Sequence, residues 1–360
     1  MENKKLFGIF LSITSGLLFI GCNIIFEKTN LDFDDVLLIR SITQIISFSI
    51  ALKIKGLDIW IWTVDEDKNI FKIRLLMLSQ AIIGGIVNFT IQVSVYLLPL
   101  GDAMAIIFSN VFTTMLMAAI FLNEKIRVFK ATCGIFVVAG IMMVIKPFDL
   151  FSYKQENIPN MQSHNESNNH SSEGLTQPST NNHEFHSLHS LHSYYYMIGT
   201  VFALLSMVGA SSLKIISTIL YRNKSTSHAE MYTLYHGFGG LIVSIIVPLV
   251  YKGNQRIVLP QNDVQTYSLL GWISLFLLGF LFTIATFTSY SSIKFVGPIV
   301  VSFLRTSEIA ISYFAQILFF GQIPDIISVL GGLLITIACI CIPFEELAKS
   351  LFPVQIQKFL

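Results

Sequence analysis

The chain has 360 residues, 53% hydrophobic and only 12% charged, with a net charge of +1 and a mean hydropathy of +0.66. A soluble globular domain carries about 25% charged residues. Half that share, with many long apolar runs, excludes an ordinary soluble globule and implies an all-α polytopic membrane protein. The near-neutral balance argues against a nucleic-acid partner, and Cys22, Cys133, Cys339 and Cys341 lie inside apolar runs, as small core residues do, with no disulfide framework or metal site.

A bilayer core of about 30 Å takes roughly 20 apolar residues per helix. In chain order ten such stretches occur: 6–26, 36–54, 75–97, 101–122, 130–146, 194–221, 231–251, 267–291, 296–320 and 326–344. The first follows Lys4 and Lys5 as a signal peptide would. Its apolar run continues to Phe26 without a small-x-small cleavage site, so it reads as a span. It contains Asn23. The second contains Arg40, with Gln44 one turn on. In the third, Asn88, Gln92 and Tyr96 fall at i, i+4 and i+8, a single helix stripe. Asp102 opens the fourth span, where a carboxylate suits a helix N-terminus.

Between the fifth and sixth spans, 152–193 is rich in Asn, Ser and His and has no apolar period, so disorder is expected. Asn165-Glu-Ser and Asn169-His-Ser are glycosylation sequons. The histidines 164, 170, 183, 186, 189 and 192 match no compact metal site, and no metal or cofactor is expected. In the second half, Lys214 lies about two turns from the end of span six, and Thr286 and Tyr290 are an i, i+4 pair in span eight. Gly84-Gly85, "HGFGG" (His236 to Gly240) and Gly331-Gly332 read as close helix contacts or hinges.

Span nine carries Arg305 and Glu308, three apart on one face. A charge at mid-bilayer costs roughly 2.5–3.5 kcal/mol on insertion scales, so both are expected to face protein or a wet cavity. Arg40 and Lys214 either join them there or snorkel to an interface. If all three cations face inward, Glu308 is the sole mid-span carboxylate against them, and surplus positive charge favours an anion.

Loop Lys and Arg set the orientation. Fifteen lie on one side, beginning with Lys4 and Lys5 and ending with Lys349 and Lys358. Five lie on the other: Lys28, Lys146, Lys154, Lys252 and Arg256. Both termini are therefore expected in the cytosol, with the 152–193 loop outside or in a lumen.

The two halves echo each other. Tyr96 to Ile126, "YLLPLGDAMAIIFSNVF…IFLNEKI", resembles Tyr290 to Ile323, "YSSIKFVGPIVVSFLRTSE…LFFGQI", at nearly constant offset: Gly101 to Gly297 is 196, Ile126 to Ile323 is 197, and Phe148 to Phe344 is 196. Residues 1–151 and 194–345 thus read as two five-helix repeats, followed by a cytosolic tail at 346–360. An odd number of spans per repeat inverts the second relative to the first, a pattern of secondary transporters.

The fourth-span motif "LPLGDAMAIIFSNVFTTMLMAAIFLNEKI" resembles that of the EamA-type, drug/metabolite transporter superfamily. "LIRSITQ" and "LRTSEIAISYFAQILFFGQIPDIISVLGGLLI" are similar to solute carrier family 35, subfamily G. One departure is Gly321-Gln322 where the family pattern has Gly-Glu, which removes an expected carboxylate. The resemblance implies a ten-helix carrier of small organic solutes, and no phosphate-binding Gly-Lys-Ser/Thr loop is found. The reading is a secondary transporter of a small, carboxylate-like organic anion by alternating access, and not an enzyme. Its substrate-binding residues would be Arg305, Glu308, Lys214, Arg40, Asn88, Gln92, Tyr290 and Asn23. The alternatives are a nucleotide-sugar carrier, or a regulatory membrane protein, for example in calcium handling, without transport. Expected partners are the anionic solute and the bilayer, with a second copy or another membrane protein left open. The plasma membrane and the endoplasmic reticulum or Golgi membranes are equally open.

Overall fold

The computed structural model describes residues 2–29, 31, 33–57, 70–123, 128–145, 181–222, 228–252 and 268–351. Among these the ordered elements are all helices: α1 (Glu2–Thr29), α2 (Phe33–Ile54), α3 (Ile70–Leu97), α4 (Leu100–Phe108), α5 (Asn110–Leu122), α6 (Val128–Ile145), α7 (Asn181–Tyr221), α8 (Ala229–Lys252), α9 (Leu269–Val296), α10 (Pro298–Leu304), α11 (Ser307–Phe320) and α12 (Ile326–Leu351).

Among the described residues, seven helical segments are long and apolar enough to cross a membrane: α1, α2, α3, α4 with α5, α7, α8 and α9. The remaining expected spans are helical as well, with shorter continuous apolar segments in α6 and α12 and a divided helix at α10–α11. The surface agrees with a lipid environment. Ile82, Ile135, Ile245 and Phe280 are each more than half exposed, while Arg40, Gln44, Gln80 and Glu308 are buried. An apolar outside around a polar inside inverts the usual soluble pattern. The chain is a multi-pass membrane protein.

Disorder was expected over 152–193, but 181–193 are helical. Residues 152–180, with Asn165 and Asn169, lie outside the described residues, whereas α7 starts at Asn181. Residues 181–193 contain neither Pro nor Gly. A helix already nucleated in the span gains a hydrogen bond for each residue it adds, so it extends outward through this polar stretch. The side chains of the six loop histidines lie outside the described ones.

Packing pairs the two halves. The main contacts run from α1 to α9, α3 to both α7 and α8, α2 to both α8 and α9, α6 to α12, α5 to α7, and α4 to α11. Two crossings depend on glycine. A Cβ on Gly239 would lie 1.6 Å from the Ala81 carbonyl oxygen, and one on Gly85 2.2 Å from that of Gly239. At α6–α12, a Cβ on Gly140 would lie 2.8 Å from the Gly331 carbonyl oxygen. The expected contact role of Gly85, "HGFGG" and Gly331 is met by backbone-to-backbone approach.

Spans four and nine are not continuous helices. At Ser109 (φ −67°, ψ 3°) α4 gives way to α5. At Arg305 (φ −75°, ψ −12°) and Thr306 α10 gives way to α11. Both breaks tighten the turn to i−3 bonding: Phe112 N donates to Ser109 O at 3.2 Å, and Glu308 N to Arg305 O at 3.0 Å. Each has a hydroxyl bonded to its own i−3 carbonyl, Ser109 Oγ to Ile106 O at 2.6 Å and Thr306 Oγ1 to Phe303 O at 2.7 Å. Such a hydroxyl competes with the helix ladder and bends it, and a tightened turn in mid-helix is a recurrent hinge.

Candidate functional site

The break between α10 and α11 faces a small interior cavity of about 70 Å3. Its walls come from α1 (Phe19), α2 (Arg40), α3 (Val87, Asn88, Ile91), α7 (Ala210, Leu213, Lys214), α8 (His236), α9 (Thr286, Ser289, Tyr290, Ile293) and the break itself (Arg305). Its wall is mostly apolar with a few placed polar groups, as small-molecule sites are, though it is smaller than their usual range of about 300 to 1,000 Å3.

All three mid-span cations are buried and line this cavity: Arg40 is 1% exposed, Lys214 5% and Arg305 9%. Neither Arg40 nor Lys214 snorkels outward, since both side chains end in the protein interior on the cavity wall. Each cation is held differently. Lys214 Nζ donates to Asn110 Oδ1 at 2.8 Å and to Ser302 Oγ at 2.6 Å, just beyond one break and just before the other. Ser302 Oγ in turn donates to Thr114 Oγ1 at 3.2 Å. Arg305 makes a two-pronged contact with Glu308, Nε to Oε1 at 2.6 Å and Nη2 to Oε2 at 3.4 Å, and its plane lies 4.8 Å from the Phe19 centroid and 4.9 Å from that of Phe108. The pair meets as its spacing implies, but across a helix break and not along an unbroken face. Gly16 on α1 leaves the room, since a Cβ there would lie 2.5 Å from Glu308 Oε1.

Arg40 is the least satisfied of the three. Its Nη2 reaches Thr286 Oγ1 only at 3.5 Å, and its Nε and Nη1 have no hydrogen-bond partner among the described residues. The guanidinium lies 4.3 Å from the Phe282 centroid and 5.6 Å from that of Phe19, contacts that offset part of its desolvation.

The remaining expected residues divide. Asn88 and Tyr290 line the cavity, joined through His236: its Nδ1 is 2.9 Å from Tyr290 Oη and its Nε2 2.8 Å from Asn88 Oδ1. Gln92 and Asn23 are buried, at 2% exposure each, but do not line the cavity. Tyr96 is 45% exposed, so the stripe through Asn88 and Gln92 turns outward at its third member. Asp102 lies in the first turn of α4 as expected, with Pro99 at the N-cap position itself. Its carboxylate accepts from Tyr313 Oη at 3.1 Å and Tyr196 Oη at 3.2 Å, tying α4 to α11 and α7.

His236, Phe19, Asn110 and Ser302 are site residues that span-by-span reading passes over. The signal for His236 is its place in an apolar span beside a glycine cluster. A buried imidazole there needs two partners, and the nearest in sequence are only its own helix neighbours.

No family model matches the chain, and no curated protein matches it. Among 19 matching solved chains, one crystal structure aligns with a TM-score of 0.56 at 13% identity, over 96% of this chain and 99% of the other. At that identity the likeness concerns the fold alone.

Proposed function

We propose that the protein is a secondary transporter of a small organic anion, carboxylate-like in chemistry, working by alternating access between two inverted five-helix repeats of a ten-span bundle. The observation that carries the reading is the cavity: Arg40, Lys214 and Arg305 converge on it from three spans, with Glu308 the carboxylate paired into the group. Surplus buried positive charge in a low-dielectric site favours an anionic occupant.

The inverted repeat is supported by geometry as well as by sequence. The breaks at Ser109 and Arg305 are 196 residues apart, the same offset as Gly101 to Gly297. Numbering the spans one to ten, an exchange of each span with the one five places away maps the α1–α9 contact onto α7–α3, and α3–α8 onto α9–α2. It leaves the α2–α8, α6–α12 and α4–α11 contacts in place. That is the behaviour of a pseudo-twofold pair. Paired broken helices at a central site are the hallmark of repeat-based transporters. The resemblance to the drug/metabolite transporter superfamily and to solute carrier family 35, subfamily G agrees with this reading.

The test is uptake into proteoliposomes against organic anions, nucleotide sugars, neutral solutes and organic cations. Saturable uptake of a small organic anion is expected. Uptake confined to nucleotide sugars would favour the alternative carrier, and a folded protein that moves none of them would remove transport.

A further inference from the structure

The cavity's unsatisfied groups are of one kind. Arg40 Nε and Nη1 are buried hydrogen-bond donors without a partner among the described residues, and so is Nδ2 of Asn88, another residue of the cavity wall. No acceptor atom of a cavity-lining residue is in that state. A buried donor left unmade costs about 1–3 kcal/mol, and more when charged, so such a wall selects a ligand made of acceptors.

Arg305 and Lys214 do not offer the same thing. The Nε and Nη2 of Arg305 already hold Glu308, and Lys214 is engaged with Asn110 and Ser302. Arg40 keeps most of its planar donor set, with Nη2 held only by a 3.5 Å contact to Thr286, and a planar donor set matches the paired oxygens of an oxyanion. Phe282 and Phe19 flank its guanidinium.

The orientation of Asn88 is set by its neighbours on the cavity wall. Asn88 Oδ1 can only accept, so the His236 Nε2 that meets it at 2.8 Å carries the proton. His236 Nδ1 is then the acceptor for the Tyr290 hydroxyl at 2.9 Å. The chain Tyr290–His236–Asn88 links α9, α8 and α3 and engages the amide by its oxygen, which leaves Nδ2 as the free end.

We infer that the cavity binds an oxyanion whose oxygens are gripped by the planar donor set of Arg40 and by Asn88 Nδ2, with His236 as the positioning residue that orients the amide. The inference deepens the proposed transport function and rests on it for the role of the cavity.

The experiment measures equilibrium binding to the purified full chain in detergent, with succinate as the carboxylate probe, glycerol 3-phosphate as the phosphate probe and succinamide as the neutral counterpart. At least one anion should bind, with succinamide weaker by about tenfold or more, the loss of one charge-assisted hydrogen bond. The tighter anion identifies the headgroup. Arg40→Lys, which keeps the charge and loses the fork, should weaken binding of that anion by about tenfold or more. Asn88→Asp, which exchanges a donor for a carboxylate, should do the same and serves if Arg40→Lys does not fold. His236→Gln keeps a donor toward Asn88 Oδ1 and should retain affinity, whereas His236→Leu should lose it. The inference is overturned if neither anion binds, if succinamide binds as tightly as succinate, or if the folded Arg40→Lys or Asn88→Asp protein binds like wild type. Equal affinities of His236→Gln and His236→Leu would remove the positioning role. Wild type that binds an anion but carries none into proteoliposomes would overturn transport and leave the Arg40 site standing. Anion uptake unaffected by Arg40→Lys would do the reverse.

Discussion

Arg305 and Glu308 are adjacent charges that each need the other. Glu308 is 1% exposed, and its carboxylate is held at 2.6 Å by Arg305 Nε. Removing one member of a buried pair leaves an uncompensated charge and costs about 3–5 kcal/mol, whereas apolar replacement of both is often neutral. Arg305→Gln should therefore lower the thermal midpoint sharply, and Arg305→Met with Glu308→Leu should recover most of the loss in the same melting assay. Because the pair spans the α10–α11 break, the folded double variant should still bind anion but transport it about tenfold or more slowly, a barrier rise of roughly 1.4 kcal/mol or more. Uptake at the wild-type rate would reduce the pair to a structural role. Arg305 was expected to meet the solute and Glu308 to hold it in the empty cavity. In the structure Glu308 does hold the Arg305 guanidinium, and the least satisfied guanidinium of the cavity wall is that of Arg40.

Helix crossings set the tolerances of the elements. Gly239 packs its Cα against the Ala81 carbonyl, so Gly239→Ala would force α3 and α8 apart. Overpacking of this kind costs about 1–3 kcal/mol or more, and Gly239→Ala should reduce the folded, monodisperse yield in size-exclusion chromatography. Gly21 on α1 has nothing within 4 Å of its Cβ position. Gly21→Ala should be neutral or stabilise by up to about 1 kcal/mol through helix propensity, and it separates crowding from a general intolerance of glycine loss. The two breaks make a further pair. Ser109→Ala and Thr306→Ala each remove a hydroxyl that competes with the helix ladder. Each should change the melting temperature little, by about 1 kcal/mol or less, while slowing uptake. Unchanged uptake in both would mean the bends are maintained by packing alone.

For the molecule as a whole, the fifteen-to-five division of loop Lys and Arg predicts both termini in the cytosol. Tags at both ends should be protected from protease in sealed cells, and tags on opposite faces would sink the ten-span count together with the inverted repeat. Replacing residues 152–180 with a short flexible linker should leave folding and uptake near wild type, since the main helix contacts run between the two halves without that segment. Loss of uptake at normal expression would give the segment a role of its own.

Hydropathy and spacing determined much of this by themselves. Apolar runs long enough for a bilayer place the spans, because lipid leaves the backbone few alternatives to helix. The nearly constant offset of 194 to 197 residues was readable along one dimension, as was the need for Arg40, Lys214, Arg305 and Glu308 to find an interior. What the chain alone did not reveal depends on neighbours from distant segments. His236 joins Asn88, 148 positions away, to Tyr290, 54 positions away. Asp102 meets Tyr313 across 211 positions. The breaks in spans four and nine fall at Ser109-Asn110 and Arg305-Thr306, polar interruptions that do not by themselves say whether a helix divides. Whether a buried arginine is paired or open is decided by which carboxylate the folded helices bring within reach. Arg305 has Glu308 one turn away, and Arg40 has no carboxylate partner among the described residues. That difference, invisible in composition and spacing, leaves Arg40 the least satisfied cation of the cavity wall.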